Sequence, residues 1–120
     1  MTHPLSINAD RLKKEIEELA SIGRRPDFGI NRVAFSDADM AARRWLEDKF
    51  KSAGMASWMD GAGNQFGRLE PSTGTQGAVL MGSHLDGVPG GGVLDGALGV
   101  VAGLEVVRTL KESGAQLEHP

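Results

Sequence analysis

Apolar residues recur at helical spacing over two early stretches of the chain. Leu12, Ile16, Leu19 and Ala20 fall on one face after Asn8, a residue suited to capping a helix start, and Gly23 marks the end. Residues 24–35 follow with Pro26 and Gly29 as breakers and read as a loop. Ser36 with Asp39 three residues on resembles a capping box. It predicts a second helix that runs to about Ala53 and stops at Gly54, with Trp45, Leu46 and Phe50 as core contacts. The pattern then shortens. Met55 to Asp60 and a stretch through Phe66 and Leu69 predict a hairpin, shaped by Asn64, Gly67 and Arg68, with a polar loop after it from Pro71. Gly77 to Ser83 is a short apolar run bounded by turn residues and reads as a buried, parallel strand. A glycine-rich loop over 85–92 leads to a third helix from Asp95 to about Ser113, ended by Gly114. Its first half is apolar on nearly every side, so it should be covered on more than one face.

Helix, helix, hairpin, strand, loop, helix is an α/β order with a partly parallel sheet. No internal repeat and no linker divides the 120 residues. A chain of this size can bury roughly two thirds of its unfolded surface. One clear buried strand is few for such a sheet, and no further strand follows the third helix. The expectation is therefore a truncated domain.

Composition narrows the chemistry. There are 17 glycines, clustered where turns and close backbone approaches are expected. The absence of cysteine excludes disulfides and thiolate metal sites, so any metal must be held by nitrogen and oxygen. The net charge is −3 and the basic residues are scattered, which argues against nucleic acid. No secretory pattern and no membrane-length apolar run is seen, so a soluble cytoplasmic protein is expected.

The stretch that carries chemistry is Gly82-Ser83-His84-Leu85-Asp86, then Gly90-Gly91-Gly92, then Asp95-Gly96. His84 follows the predicted strand directly, and ligands gather at the carboxyl ends of strands in open α/β sheets. Asp86, two residues on, can reach back to the imidazole, fix its tautomer and leave the other nitrogen free as a ligand. Asp95 at a helix start is favoured by the helix dipole, and its two oxygens could bridge two cations. Taken singly, Asp95 reads equally as a helix cap, His84 as a turn histidine and the glycines as a flexible loop. Their convergence at one strand-to-helix junction favours a site. His3 and His119 read as solvated. Arg24, Arg25 and Arg32 read as loop surface charge, although they could meet a carboxylate substrate. Arg43 and Arg44 read as flanking the exposed face of the second helix, and Glu17-Glu18 as a solvated pair. No Gly-Lys-Ser/Thr follows the glycines, so they are not a phosphate loop.

GSHLDGVPGGGVLDGALGVVAGLEVVRTL resembles the first metal-binding motif of the N-carbamoyl-L-amino-acid hydrolase and allantoate amidohydrolase family, a branch of the aminoacylase-like two-metal hydrolases. AFSDADMAARRWLEDKFKSAGM and DGAGNQFGRLE resemble the family's preceding segments. The resemblance covers almost the whole chain, and His-x-Asp, eight residues, Asp is a specific spacing. It implies the amino-terminal portion, residues 1–120, of an aminopeptidase-like (phosphorylase/hydrolase-like) catalytic domain with a mixed sheet flanked by helices, without the family's dimerisation domain. It implies that His84 binds one metal, that Asp86 serves catalysis by holding His84, and that Asp95 bridges two divalent ions and can join Gly96 by an unusual peptide bond. The ions would be zinc or manganese, with cobalt or nickel as alternatives. The substrate would be a small carbamoyl or ureido compound. The family's general base, a glutamate in a Glu-Glu pair downstream, and its later ligands have no counterpart here. A chain lacking them is expected to be inactive alone. Gly87 stands where the family usually has Thr, and Val93-Leu94 where it has a basic then an aromatic residue. These changes spare the ligands and alter the pocket walls. The parent is expected to be a homodimer that needs no membrane. Two other readings are a non-catalytic remnant that self-associates through its third helix, and an aminoacylase-like peptidase fragment.

Overall fold

The computed structural model describes residues 5–70 and 77–120. His3 and residues 71–76 of the expected polar loop lie outside them. Helix α1 spans Ala9–Ser21, and the Asn8 side chain accepts from the Arg11 amide at 3.0 Å, as its cap position requires. Strand β1 is Ile30–Arg32, helix α2 Asp37–Ser52, strands β2 and β3 Ala56–Met59 and Gln65–Arg68, strand β4 Gly87–Gly91, and helix α3 Ala97–Glu112. The α/β class stands, built on two separate antiparallel pairs, β1–β4 and β2–β3.

The capping box at α2 forms with a shift. Ser36 Oγ accepts from the Asp39 amide at 3.3 Å, while Asp39 reaches one residue further back than expected and accepts from the Phe35 amide at 2.9 Å. At the other end Met55 N–H bonds the Phe50 carbonyl and Gly54 N–H the Lys51 carbonyl, with Gly54 at φ 71°. This paired closure is what a glycine just past a helix provides. Gly114 ends α3 in the same way.

Three expectations fail here. Residues 24–35 contain a strand, β1, with Ile30 and Arg32 facing inward, and its partner β4 comes from the glycine run expected to be a loop. Gly87 leaves room for Ile30, whose Cδ1 would lie 3.2 Å from any Cβ there. Pro89 is tolerated because β4 is an edge strand. Conversely, residues 77–83 belong to no strand, and Val79 and Leu80 are 70% and 81% exposed. Hydrophobicity alone does not make a strand. A ladder partner is needed, and the described strands pair with one another.

One hydrophobic cluster joins Leu19 of α1, Ala42, Leu46 and Phe50 of α2, Leu85, and Ala97, Val101 and Leu104 of α3. Trp45 packs half-buried at its edge. Charged side chains complete the helix contacts. Glu105 is fully buried and accepts from Arg11 Nε at 2.7 Å and from the Asn8 amide at 2.7 Å. Arg108 donates to both oxygens of Glu15 at 2.7 Å. Glu18, read from sequence as solvated, instead accepts from Lys49 at 2.7 Å and from the Trp45 indole at 3.2 Å, fastening α1 to α2. Arg43 likewise turns inward, donating to Asp39 at 2.9 Å and to the Gly63 carbonyl, whereas Arg44 is exposed. Helix α3 is covered by the core, by α1 and by the 81–84 segment, but Leu98 and Val106 remain exposed, so its apolar surface is incompletely covered.

Candidate metal centre

Just before β4 the chain alternates between inside and outside. Leu85 points into the hydrophobic cluster, and the residues on either side, His84 and Asp86, keep 49% and 44% of their side chains exposed. An extended backbone puts successive side chains on opposite sides. Burial of Leu85 therefore turns both polar neighbours outward together.

The imidazole of His84 is fixed on one side. Its Nδ1 lies 2.9 Å from the Asp86 backbone carbonyl and 3.6 Å from Asp86 Oδ1. A carbonyl oxygen can only accept, so Nδ1 carries the proton, and in the neutral ring Nε2 is the nitrogen with the lone pair. The orienting group expected from the sequence was the Asp86 carboxylate. The backbone of the same residue makes the shorter contact. Nε2 faces Asp95 Oδ2 at 4.0 Å.

Asp95 precedes α3 rather than opening it. The Ala97 amide bonds the Asp95 carbonyl at 2.7 Å around Gly96, whose φ of 68° and ψ of −49° make a γ-turn of the rare positive-φ kind. The cap position of α3 is Gly96, with no side-chain cap bond, so the carboxylate of Asp95 is not used as a helix cap and is 74% exposed. The peptide bonds of the described residues are trans, Asp95–Gly96 among them.

Glycines decide how closely the two halves of the site approach. A Cβ on Gly96 would sit 2.5 Å from ring atoms of His84 and closer still to its carbonyl oxygen. A Cβ on Gly99 would meet Ser83 Cβ at 2.8 Å, and one on Gly103 would meet Met81 Cγ at 3.3 Å. These glycines recur along one side of α3, and the 81–84 segment lies against them without intervening side chains. The sequence reading assigned the glycines to turns and to close backbone approaches around the loop, and missed this bed within α3. Their spacing within the helix was the available signal.

Arg32 was also misread. Instead of surface charge it is fully buried. Its Nε donates to the Leu85 carbonyl at 2.6 Å, and its Nη1 to the carbonyls of Leu19 and Ile22 at 2.8 and 3.0 Å. Burial holds its pKa below the usual arginine value, against the opposing charges of Asp39 and Asp86. Arg25 is the surface group expected, paired with Asp27 at 2.7 Å.

The donor set fits one side of a metal centre. Imidazole nitrogen and carboxylate oxygen are ligands for zinc or manganese, and metal–ligand bonds of about 2.0–2.2 Å span the 4.0 Å between Nε2 and Oδ2. Among the described residues no cluster of three or more His, Asp or Glu side chains that could hold an ion occurs.

Known proteins similar to this chain agree with one another. The model of Peptidase family M28 matches residues 64–120. An N-carbamoyl-L-amino acid amidohydrolase of Geobacillus stearothermophilus is 40% identical over 95% of this chain and 28% of its own length. A ureidoglycolate hydrolase of Oryza sativa subsp. japonica is 42% identical over 94% of this chain and 23% of its own. The solved hydantoinase/carbamoylase family amidase of Burkholderia ambifaria superposes with a TM-score of 0.92 at 40% identity, over 96% of this chain and 28% of that one. The chain belongs to the N-carbamoyl-L-amino-acid hydrolase and allantoate amidohydrolase family. It spans about a quarter of the length of these amidohydrolases. No helix among the described residues is long and apolar enough to cross a membrane.

Proposed function

We propose that this chain carries part of the metal centre of an amidohydrolase that cleaves the C–N bond of a carbamoyl or ureido substrate. The observation that carries the reading is the polarity of His84. Its Nδ1 proton is occupied by the Asp86 carbonyl, and its free Nε2 faces the uncapped carboxylate of Asp95. His84 and Asp95 would hold the metal, with Asp95 free to offer its second oxygen to another ion. Divalent ions at such a centre supply Lewis acidity toward a carbonyl and toward water. The chain's own residues orient that chemistry. The Asp86 peptide holds the ring, Leu85 anchors it, and Gly96 lets the two ligands approach. The named relatives act on N-carbamoyl-L-amino acids and ureidoglycolate, which motivates the substrate class. Hydrolysis of an N-carbamoyl amino acid by one water would yield the amino acid, ammonia and carbon dioxide.

With two ligands and no general base among the assigned residues, the 120-residue chain is proposed to bind an ion weakly and to turn over no substrate by itself. Calorimetric titration of zinc or manganese into the chain, beside His84→Ala and Asp95→Ala variants, tests the first part. Binding of equal strength in all of them would remove the assignment. Incubation with N-carbamoyl amino acids tests the second. Metal-dependent turnover comparable to that of a full-length relative would show that the chain suffices.

A second reading rests on the exposed apolar residues Val79, Leu80, Leu98 and Val106. Such a surface favours self-association. A concentration-dependent elution volume without metal affinity would select this reading over the first.

A further inference from the structure

A buried charge opposite the ligand loop is not required by the reading above. Arg32 is fully enclosed, which is costly for a guanidinium. Two of its bonds, to the Leu19 and Ile22 carbonyls, finish the carboxyl end of α1. The third crosses 53 positions in sequence to the Leu85 carbonyl, at 2.6 Å. That peptide lies between His84 and Asp86. Its side chain is in the core, its carbonyl is held by Arg32, and the next carbonyl along, that of Asp86, receives the His84 ring.

We infer that Arg32 is a positioning residue for the candidate metal centre, fixing the Leu85 peptide so that His84 Nε2 and Asp95 Oδ2 face each other. The inference rests on the metal-binding reading for its purpose, but its structural content can be tested without metal. The planar fork is suited to this task because Nε and Nη1 donate in different directions from one rigid plane. Lysine keeps the charge, but its single nitrogen falls one bond short of Nη1 and cannot serve the Leu85 carbonyl and the α1 carbonyls at once.

Arg32→Lys therefore keeps the charge but breaks the link between α1 and the Leu85 peptide. The variant is expected to retain its far-UV circular dichroism, because α1 keeps its Asn8 cap and its ion pairs to α3. It should lose the nuclear Overhauser contact between the His84 ring and the Gly96 α-protons, and zinc or manganese affinity should fall about 10–100-fold, the usual effect of removing a group that orients a ligand. A folded Arg32→Lys chain with the contact intact overturns the inference, whatever the metal does. If the contact is lost but wild-type chain binds neither ion, the positioning role stands and the metal reading falls. Should the variant fail to fold, the wild-type chain decides. Scalar coupling from the Arg32 Nε nitrogen to the Leu85 carbonyl carbon supports the role, and its absence refutes it.

Discussion

Gly96 lies so close to the His84 ring that a single methyl group on it would overlap the imidazole. Gly96→Ala should therefore displace the ring as well as strain the turn, since φ is 68°. A non-glycine residue in such a conformation costs about 1–3 kcal/mol. Chemical denaturation should show a loss of that size, and the His84 ring resonances should move. A variant as stable as the parent with unmoved His84 signals would mean that the contact has slack.

Asp86 and Asp95 should respond differently to substitution. The His84 ring is held by the Asp86 backbone, so Asp86→Asn keeps the 2.9 Å contact. Metal affinity should fall less than about tenfold, below the range typical for loss of an orienting group. Asp95→Ala removes a donor and should abolish measurable binding. Both side chains are substantially exposed, so neither change should alter the fold. Parallel calorimetric titrations read the difference, and the reverse order would contradict the geometry.

The imidazole itself offers a direct check. Nitrogen-15 shifts of His84 near neutral pH should show the proton on Nδ1, as the carbonyl partner demands. A neutral ring protonated on Nε2 would point its lone pair away from Asp95.

Acid should loosen the packing of α1. Burial disfavours the charged form of Glu105, but Arg11 and the Asn8 amide outweigh it and hold its pKa below the ordinary 4.5. Lys49 and Trp45 hold Glu18 below 4.5 against burial as well. Groups with lowered folded pKa values stabilise fully above their unfolded pKa and lose that contribution as pH falls through the folded one. Urea midpoints should be flat near neutrality and fall below about pH 4.5. Glu105→Gln should flatten the acid limb and cost about 1.5–3 kcal/mol at neutral pH, the range for a hydrogen bond to a charged group. An unchanged acid limb in that variant would place the pH sensitivity elsewhere.

Much of the fold was legible because its signals are local. Asn8, Ser36, Gly54 and Gly114 set the helix ends through bonds to residues a few positions away. The grouping of His84, Asp86 and Asp95 was legible because His84 and Asp86 are two residues apart and Asp95 is held against them by the start of α3. What could not be read depended on distant partners. β1 and β4 define each other across the chain, and neither has a strong pattern of its own. The 77–83 segment has the pattern but no ladder partner. Arg32, Glu18 and Arg43 look like surface charges until carbonyls or carboxylates far along the sequence claim them.

The alternation at Leu85 makes this stretch intolerant of changes in length. Deleting or inserting one residue between Gly82 and Gly87 would move the leucine to the solvent side and press an imidazole or a carboxylate into the oily interior. Point substitutions there can be graded, but a change in spacing would reverse inside and outside for the whole stretch. Viable variants of this protein should therefore differ here in residue type while keeping the count of residues between the histidine and the glycine bed.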